Sequence, residues 1–285
     1  MTTTLSDSSL STFTAGDGDN LAVRDWPLPE GLVLRGVVVL VHGLGEHAGR
    51  YTHVARRLNS WGFAVRGYDQ YGHGESGGVR GALPVMTRLI DDLTDIVQST
   101  RSRMPDGVPL IILGHSMGGL VAACFAALRK RPIQGLVLSS PALNPGLNAF
   151  QKLLLAVLPR IAPNLTVGNG VKPDFISHDP QVVQAYRADP GVHDRISARL
   201  ALFIAQAGQM VIGRAARWKV PTLLIYAGSD RLVDPQGSRD FAATAPADVV
   251  TTQAFDGHFH EIFNETPERT EPVFKALKDW LDARF

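Results

Sequence analysis

Apolar residues fall along the chain in two rhythms, and their alternation is the first structural signal. Short aliphatic or aromatic runs occupy 37–41, 63–68, 109–113, 135–139, 222–227 and 249–255. Runs of this length, rich in β-branched residues and bounded by Gly, Pro, Asp or Ser, predict strands, and the continuous 37–41 run predicts one covered on both faces. Between them the spacing lengthens to that of amphipathic helices. Tyr51, Val54, Ala55, Leu58 and Trp61 share one face, as do Ile90, Leu93, Ile96 and Val97 within 85–103, and Val273, Phe274, Leu277, Trp280 and Leu281 near the end. Thr266, Pro267 and Glu268 open that last helix as N-cap, first-turn proline and first-turn acid. Strands alternating with helices at this rhythm predict an α/β sheet, mostly parallel. Two further stretches, 11–15 and 21–26, alternate about a Gly/Asp turn and read as a hairpin of two edge strands. The polar first nine residues are expected to fray.

The rhythm breaks between 141 and 217. A helix is expected over 150–159, a Gly/Asn turn at 168–170, and mixed helix over 180–213 interrupted at 189–191. No strand-like alternation occurs there, so the segment reads as a helical insertion resting on the strand tips, where an active site of such a sheet opens. Leu153, Leu154, Val157 and Leu158 in its first helix are expected to be largely packed on neighbours. The alternative is a partly exposed face that meets acyl chains or a lipid surface.

Composition narrows the class. The chain has 285 residues, 45% of them hydrophobic and 19% charged, enough apolar material for a sizeable core. A formal charge of +1 leaves no basic field for nucleic acid. The one cysteine, Cys124, excludes an intramolecular disulfide and sits among alanines as a small core residue. The N-terminus lacks the basic and apolar regions of a signal peptide, and no apolar run approaches the roughly 18–20 residues that cross a bilayer. A cytoplasmic protein without a transmembrane segment is expected, with peripheral lipid contact left open.

The chemistry centres on one junction. The 109–113 strand ends in Gly114-His115-Ser116-Met117-Gly118-Gly119 and passes at once into a strong helix former, 120–128. Strand, tight turn and helix around G-x-S-x-G make a nucleophile elbow, which holds Ser116 at the strand tip in a strained conformation. The backbone N–H of Met117 then faces the place where an oxyanion develops. A serine hydroxyl needs a base, and the base needs an orienting acid. Downstream, Asp230 and Asp234 follow the 222–227 strand. Asp234 precedes Pro235 at a helix start and is accounted for as an N-cap, so Asp230 is the better acid. His258 and His260 both follow the 249–255 strand, and the residues alone do not choose between them. After the 37–41 strand, His42-Gly43 would place the N–H of Leu44 as second oxyanion donor.

Five segments then occur in a telling order: His42 to Tyr51 (HGLGEHAGRY), Gly72 to Ser76 (GHGES), Gly114 to Gly119, Gly228 to Asp234 (GSDRLVD) and His260 to Glu265 (HEIFNE). From about residue 12 to the C-terminus the chain resembles the monoacylglycerol lipase / lysophospholipase family of serine α/β-hydrolases. The resemblance implies an eight-stranded, mostly parallel sheet with a core of 1–140 and 218–285 and a helical cap of 141–217 after the sixth strand. It implies Ser116 as nucleophile, Asp230 as acid and His260 as base, with Leu44 and Met117 as oxyanion donors. Glu46, Arg50 and His115 would surround the alcohol end of the substrate, although Glu46 and Arg50 equally suit a pair that holds the oxyanion loop. Asp69, His73 and Ser76 read as loop scaffolding. No metal or organic cofactor is expected. The implied reaction is two-step hydrolysis of a single-chain lipid ester, most simply a monoacylglycerol. A lysophospholipase, a broad carboxylesterase and a catalytically silent binding protein on the same scaffold are the alternatives.

Overall fold

The computed structural model describes residues 8–285, so the expectations for the first seven residues lie outside it. One sheet runs through the molecule. Its strands are β1 (Ser9–Thr14), β2 (Asn20–Trp26), β3 (Gly36–Val41), β4 (Phe63–Tyr68), β5 (Leu110–His115), β6 (Gly135–Ser139), β9 (Thr222–Ala227) and β10 (Val250–Phe255). They lie in the order β1-β2-β4-β3-β5-β6-β9-β10, parallel from β4 to β10. The expected hairpin is present, but only β1 is an edge. β2 pairs antiparallel with β4 on its other side. Leu21, Ala22 and Val23 are buried, and an outer strand would leave them in water.

Helices α1 (Thr52–Ser60), α2 (Arg88–Arg101), α3 (Met117–Ala127), α7 (Gln236–Thr244) and α8 (Pro267–Asp282) cover the sheet. Because successive strand residues face opposite ways, the continuous runs feed two cores. Val39, Val41 and Ile112 join α2 and α3 on one side, and Val38, Leu40, Ile111 and Leu113 join α1 and α8 on the other. α3 is buried from Met117 through Ala126, which explains its lack of any polar face. The strand and helix that flank Ser116 thus lie at the centre of the fold. Truncating Leu113 to alanine there would cost about 2–5 kcal/mol.

Between β6 and β9 the chain leaves the sheet and forms α4 (Ala149–Ile161), α5 (Pro180–Ala188) and α6 (Ala198–Ile212). It also forms two short strands the sequence does not predict, β7 (Thr166–Gly168) and β8 (Arg195–Ser197), paired antiparallel. Three residues are too few for a period-two pattern to register. Asn148 and Gln151 cap α4 reciprocally. Four apolar side chains of α4 stand exposed: Leu153 at 63% and Ile161 at 72%, with Leu154 and Val157 also exposed. The later part of the insertion is tied to the core. His193 N–H donates to Gly45 O at 2.8 Å, Ser197 N–H to Gly81 O at 2.8 Å, and His47 Nε2 meets Asp189 Oδ2 at 2.9 Å. Among the described residues no helix is long and apolar enough to cross a membrane.

Candidate active site

Ser116 sits between β5 and α3 with φ 54° and ψ −121°. A non-glycine residue there stores about 1–3 kcal/mol of backbone strain. The turn is held by backbone bonds at 3.0 Å: Ser116 N–H to Ser139 O, and Ser116 O from the N–H groups of Leu120 and Ala142. The flanking glycines are sterically required. A Cβ on Gly114 would lie 2.5 Å from Gly118 O, and one on Gly118 would collide with the carbonyls of Val41 and His42.

The structure brings Ser116, His260 and Asp230 into one line. Ser116 Oγ lies 2.8 Å from His260 Nε2, and His260 Nδ1 lies 2.6 Å from Asp230 Oδ2. The other oxygen of Asp230 accepts from the N–H groups of Leu232 and Val233 at 2.9 and 3.1 Å, which fixes the carboxylate in the loop after β9. Burial alone would lower the pKa of His260, but the charge of Asp230 and its hydrogen bond outweigh this and raise it. Burial would likewise raise the pKa of Asp230, and the charge and hydrogen bond of His260, with the two backbone donors, lower it instead. Geometry therefore separates the two histidines. His258 turns away, its Nδ1 and Nε2 facing the carbonyls of Asp256 and Arg269 at 3.3 and 3.0 Å. Asp234 is bonded elsewhere, accepting from Gln236 N–H and from Asn144 Nδ2 at 2.9 Å each, although the N-cap of α7 is Pro235 and not, as expected, Asp234.

Leu44 and Met117 both line the cavity into which Ser116 opens. Met117 begins α3, so its N–H is one of the first-turn donors without an intrahelical partner. The loop carrying Leu44 is fixed from beneath by Glu46, whose Oε1 accepts from Gly43 N–H at 2.5 Å and from Tyr51 Oη at 2.6 Å. Its Oε2 accepts from Arg50 at 2.5 Å. Arg50 in turn makes a bidentate pair with Glu261 at 2.8 Å for both bonds, and its guanidinium lies over the Tyr186 ring at 4.7 Å. A buried Glu46–Arg50–Glu261 chain thus joins the oxyanion loop to the residue after His260. Burial disfavours all the charges, yet Arg50 and His42 lower the pKa of Glu46, and Glu261 and Glu46 raise that of Arg50. Asp69 supports the same region, accepting from the N–H groups of Ala48 and Glu75 at 2.8 Å each. Ser76 Oγ donates to Asp69 O, and the ring of His73 lies against that of His42, 5.4 Å between centroids.

The cavity has a volume of about 250 Å³. Leu147, Ile196, Ile204, Leu232 and Val233 form apolar walls, while Glu46, His115, Asn169 and Glu261 supply polar ones. Arg50 is not among the lining residues, because both carboxylates engage it from behind. His115 sits with Nδ1 3.2 Å from Ser139 Oγ and its ring 4.7 Å from that of His260. Burial first, then the proximity of His260, push its pKa down to about 3, so it stands as a neutral imidazole. Glu261 and Tyr51 carry no role in the sequence reading, although Glu261 stands inside one of the segments that carry the resemblance. Tyr51 likewise ends another of those segments, and otherwise reads as an apolar helix position. Among the described residues no group of three or more His, Cys, Asp or Glu side chains is arranged to hold a metal ion.

A family model described as serine aminopeptidase S33 matches residues 33–267. A monoacylglycerol lipase of Mycolicibacterium smegmatis is 38% identical over 250 residues, 87% of this chain and 88% of the relative. The phospholipase YtpA of Bacillus subtilis is 32% identical over 250 residues, 86% of this chain and 95% of the relative. A crystal structure of a Paleococcus ferrophilus monoacylglycerol lipase superposes with a TM-score of 0.80 at 35% identity, covering 98% of this chain and 100% of that one. A match of that extent, with identity at this level along most of both chains, settles the kinship: the protein belongs to the serine aminopeptidase S33 family of α/β-hydrolases and is a serine hydrolase.

Proposed function

We propose that the protein hydrolyses carboxylic esters of single-chain lipids, monoacylglycerols first, through an acyl-enzyme on Ser116. The observation that carries this reading is the bonded line from Ser116 Oγ through His260 to Asp230, opening into a cavity with an apolar and a polar side. In the first step His260 Nε2 takes the Ser116 proton as Oγ attacks the acyl carbonyl. The N–H groups of Leu44 and Met117 receive the oxyanion, and Asp230 stabilises the imidazolium. His260 then protonates the departing alcohol. Water, deprotonated by the same imidazole, attacks the acyl-enzyme, and the acid leaves as Ser116 regains its proton. The acyl chain would follow Leu147, Ile196, Ile204 and Val233, with the alcohol end toward Glu46 and His115. Arg50 acts behind the site, as a positioning residue.

Residues 141–217 serve in this reading as a cap on a core of 1–140 and 218–285. The exposed apolar face of α4 supports peripheral contact with a lipid surface, and the reading places the protein in the cytoplasm. The family description raises peptide hydrolysis as well, but an aminopeptidase needs a free carboxylate for the substrate ammonium. Both cavity carboxylates, Glu46 and Glu261, are already bonded to Arg50. The likeness to a phospholipase keeps lysophospholipids as the second substrate class.

Rates on monoacylglycerols, diacylglycerols, lysophospholipids and short nitrophenyl esters test the substrate, with fluorophosphonate labelling of wild type and Ser116→Ala beside them. Monoacylglycerol preference and labelling lost in Ser116→Ala are expected. A strong lysophospholipid preference overturns the substrate, and equal labelling of the two proteins overturns the mechanism.

A further inference from the structure

A second cavity, of about 730 Å³, opens on the far side of the molecule. Ile133 and Val220, each two residues before the start of β6 or β9, line it, so it lies at the edge where those parallel strands begin. Ser116 stands at the opposite edge, where β5 ends. The volume lies within the roughly 300–1,000 Å³ of small-molecule sites. Five cations line the groove: Arg129, Arg131, Arg214, Arg217 and Lys219. No carboxylate lines it, and among the described residues none of the five has an acid within ion-pair distance. Arg131 reaches only Gln98 Oε1 at 3.1 Å and a backbone carbonyl, and Arg214 only the Ala127 carbonyl at 3.2 Å. In a chain whose 28 basic and 27 acidic residues nearly cancel, five unpaired cations around one groove are a local concentration of charge. Self-repulsion there is unfavourable unless an anion relieves it.

Arg129 adds a second indication. It follows the end of α3 with φ 51°, a left-handed position that glycine or asparagine takes with little strain. An arginine at that position costs about 1–2 kcal/mol of backbone strain and places a guanidinium on the groove. The floor between the cations is apolar, formed by Ala126, Ile133 and Trp218.

We propose that this groove binds an organic polyphosphate of the nucleoside triphosphate class. Four of the five cations are guanidiniums, whose planar donor forks match phosphate oxygens and are far more than one carboxylate would need. The apolar floor receives the organic part. The occupant is a soluble molecule and not a membrane, because Leu128 is the one large apolar side chain exposed among the groove's lining residues, whereas α4 on the other edge of the sheet presents four. One helix also runs from the active-site cavity toward this groove. α6 lends Ala201 and Ile204 to the Ser116 cavity, and Arg214, two residues past its end, to this groove. The proposal is independent of which ester Ser116 cleaves.

Equilibrium dialysis at low ionic strength tests it with ATP, inorganic tripolyphosphate, decanoate and phosphatidylglycerol vesicles, on wild type and on the charge-reversed pair Arg129→Glu/Arg217→Glu. Both side chains are exposed, and the neutral pair Arg129→Gln/Arg217→Gln stands in if the reversed one melts early. Saturable ATP binding is expected, tighter than tripolyphosphate, weakened by added salt, and at least about tenfold weaker in either variant, the loss expected of two charge-assisted contacts. Ester hydrolysis without ATP stays at the wild-type rate in the variants. Failure of ATP to saturate, equal binding by the variants, equal affinity for tripolyphosphate, or binding of decanoate or vesicles in place of ATP each overturns the proposal.

Discussion

Replacing Asp230 by asparagine isolates one atom. The two side chains are nearly isosteric, and the surrounding loop decides how the amide settles. In the native loop Oδ1 of Asp230 accepts from the N–H groups of Leu232 and Val233, and Oδ2 faces His260 Nδ1 at 2.6 Å. An asparagine keeps its carbonyl oxygen toward the two backbone donors, because turning it would set its NH₂ against them. Its NH₂ therefore takes the place of Oδ2 and donates to Nδ1. The imidazole is then held with its proton on Nε2, 2.8 Å from Ser116 Oγ, where the base must have none.

The cost follows from that tautomer. The same change in a serine protease triad lowers kcat by about 10⁴, equivalent to about 5.4 kcal/mol at about 1.36 kcal/mol per tenfold. A loss of this order is expected in Asp230→Asn, read as the burst and steady-state rates of a short nitrophenyl ester. KM should stay close to wild type, since Asp230 does not line the cavity. Asp230→Ala checks the reasoning from the other side. It removes the carboxylate without supplying a donor, so the imidazole can still present a bare Nε2, and the alanine variant should retain more activity than the asparagine one. Near-native turnover by Asp230→Asn, or an asparagine variant faster than the alanine one in equally folded proteins, would refute the assignment of Asp230.

Four further outcomes are expected. Because His260 is raised above the ordinary value of about 6.5 and must be neutral to act, the acid limb of kcat/KM should lie above that pH and move down in Asp230→Asn, where only the weaker pull of Glu261 and Glu46 is left to oppose burial. By linkage the raised His260 pKa gives stability that is fully present below the unfolded value and lost as pH rises through the folded one, and the lowered Asp230 pKa gives stability lost as pH falls through its folded value; both describe one ion pair, so the stability gap between wild type and Asp230→Asn in urea melts should narrow in each of those two directions. Glu46→Gln turns an amide NH₂ toward Arg50 and should destabilise by about 1.5–3 kcal/mol, the worth of a bond to a charged group, with kcat falling through the loosened Leu44 loop; unchanged melting and kcat would remove Glu46 from that role. Leu153→Asp with Ile161→Asp should lower binding to lipid vesicles in a sedimentation assay and leave hydrolysis of a soluble short ester intact, and undiminished sedimentation would exclude α4 as the contact.

The sequence discloses what local chain geometry determines. Strand, G-x-S-x-G turn and helix lie within about twenty consecutive residues, and the helix starts near Asp234 and at Thr266 are each marked by two or three adjacent residues. The choice of Asp230 over Asp234 came from the same local logic. His258 and His260 mark where such logic ends, for both follow the same strand and only the path of the loop turns one ring toward Ser116. Glu261 shows the limit more sharply. Its partner Arg50 is 211 positions away, and nothing near either residue announces the pair. The short strands β7 and β8 fail because three-residue pairing leaves no periodic trace, and the exposure of Leu153, Leu154 and Val157 because an apolar face reads the same along the chain whether or not a neighbour covers it.

Why the fold keeps three charges buried beneath its active site can be argued from energies. Replacing a buried ion pair by apolar groups of similar volume is often neutral or stabilising, so the Glu46–Arg50–Glu261 chain is a poor source of stability. Its use is geometric. One end of the chain grips Gly43 N–H, next to the Leu44 donor, and the other is the residue that follows His260. Oxyanion loop and imidazole come from strands at different places in the sheet, and hydrophobic contact between them would tolerate slippage that a bidentate guanidinium does not. Catalysis by an oxyanion hole depends on donors already in place when charge develops, and an arginine held from both sides sets the distance between donor and base before substrate arrives. That also accounts for its position behind the cavity wall, where a substrate cannot displace either carboxylate.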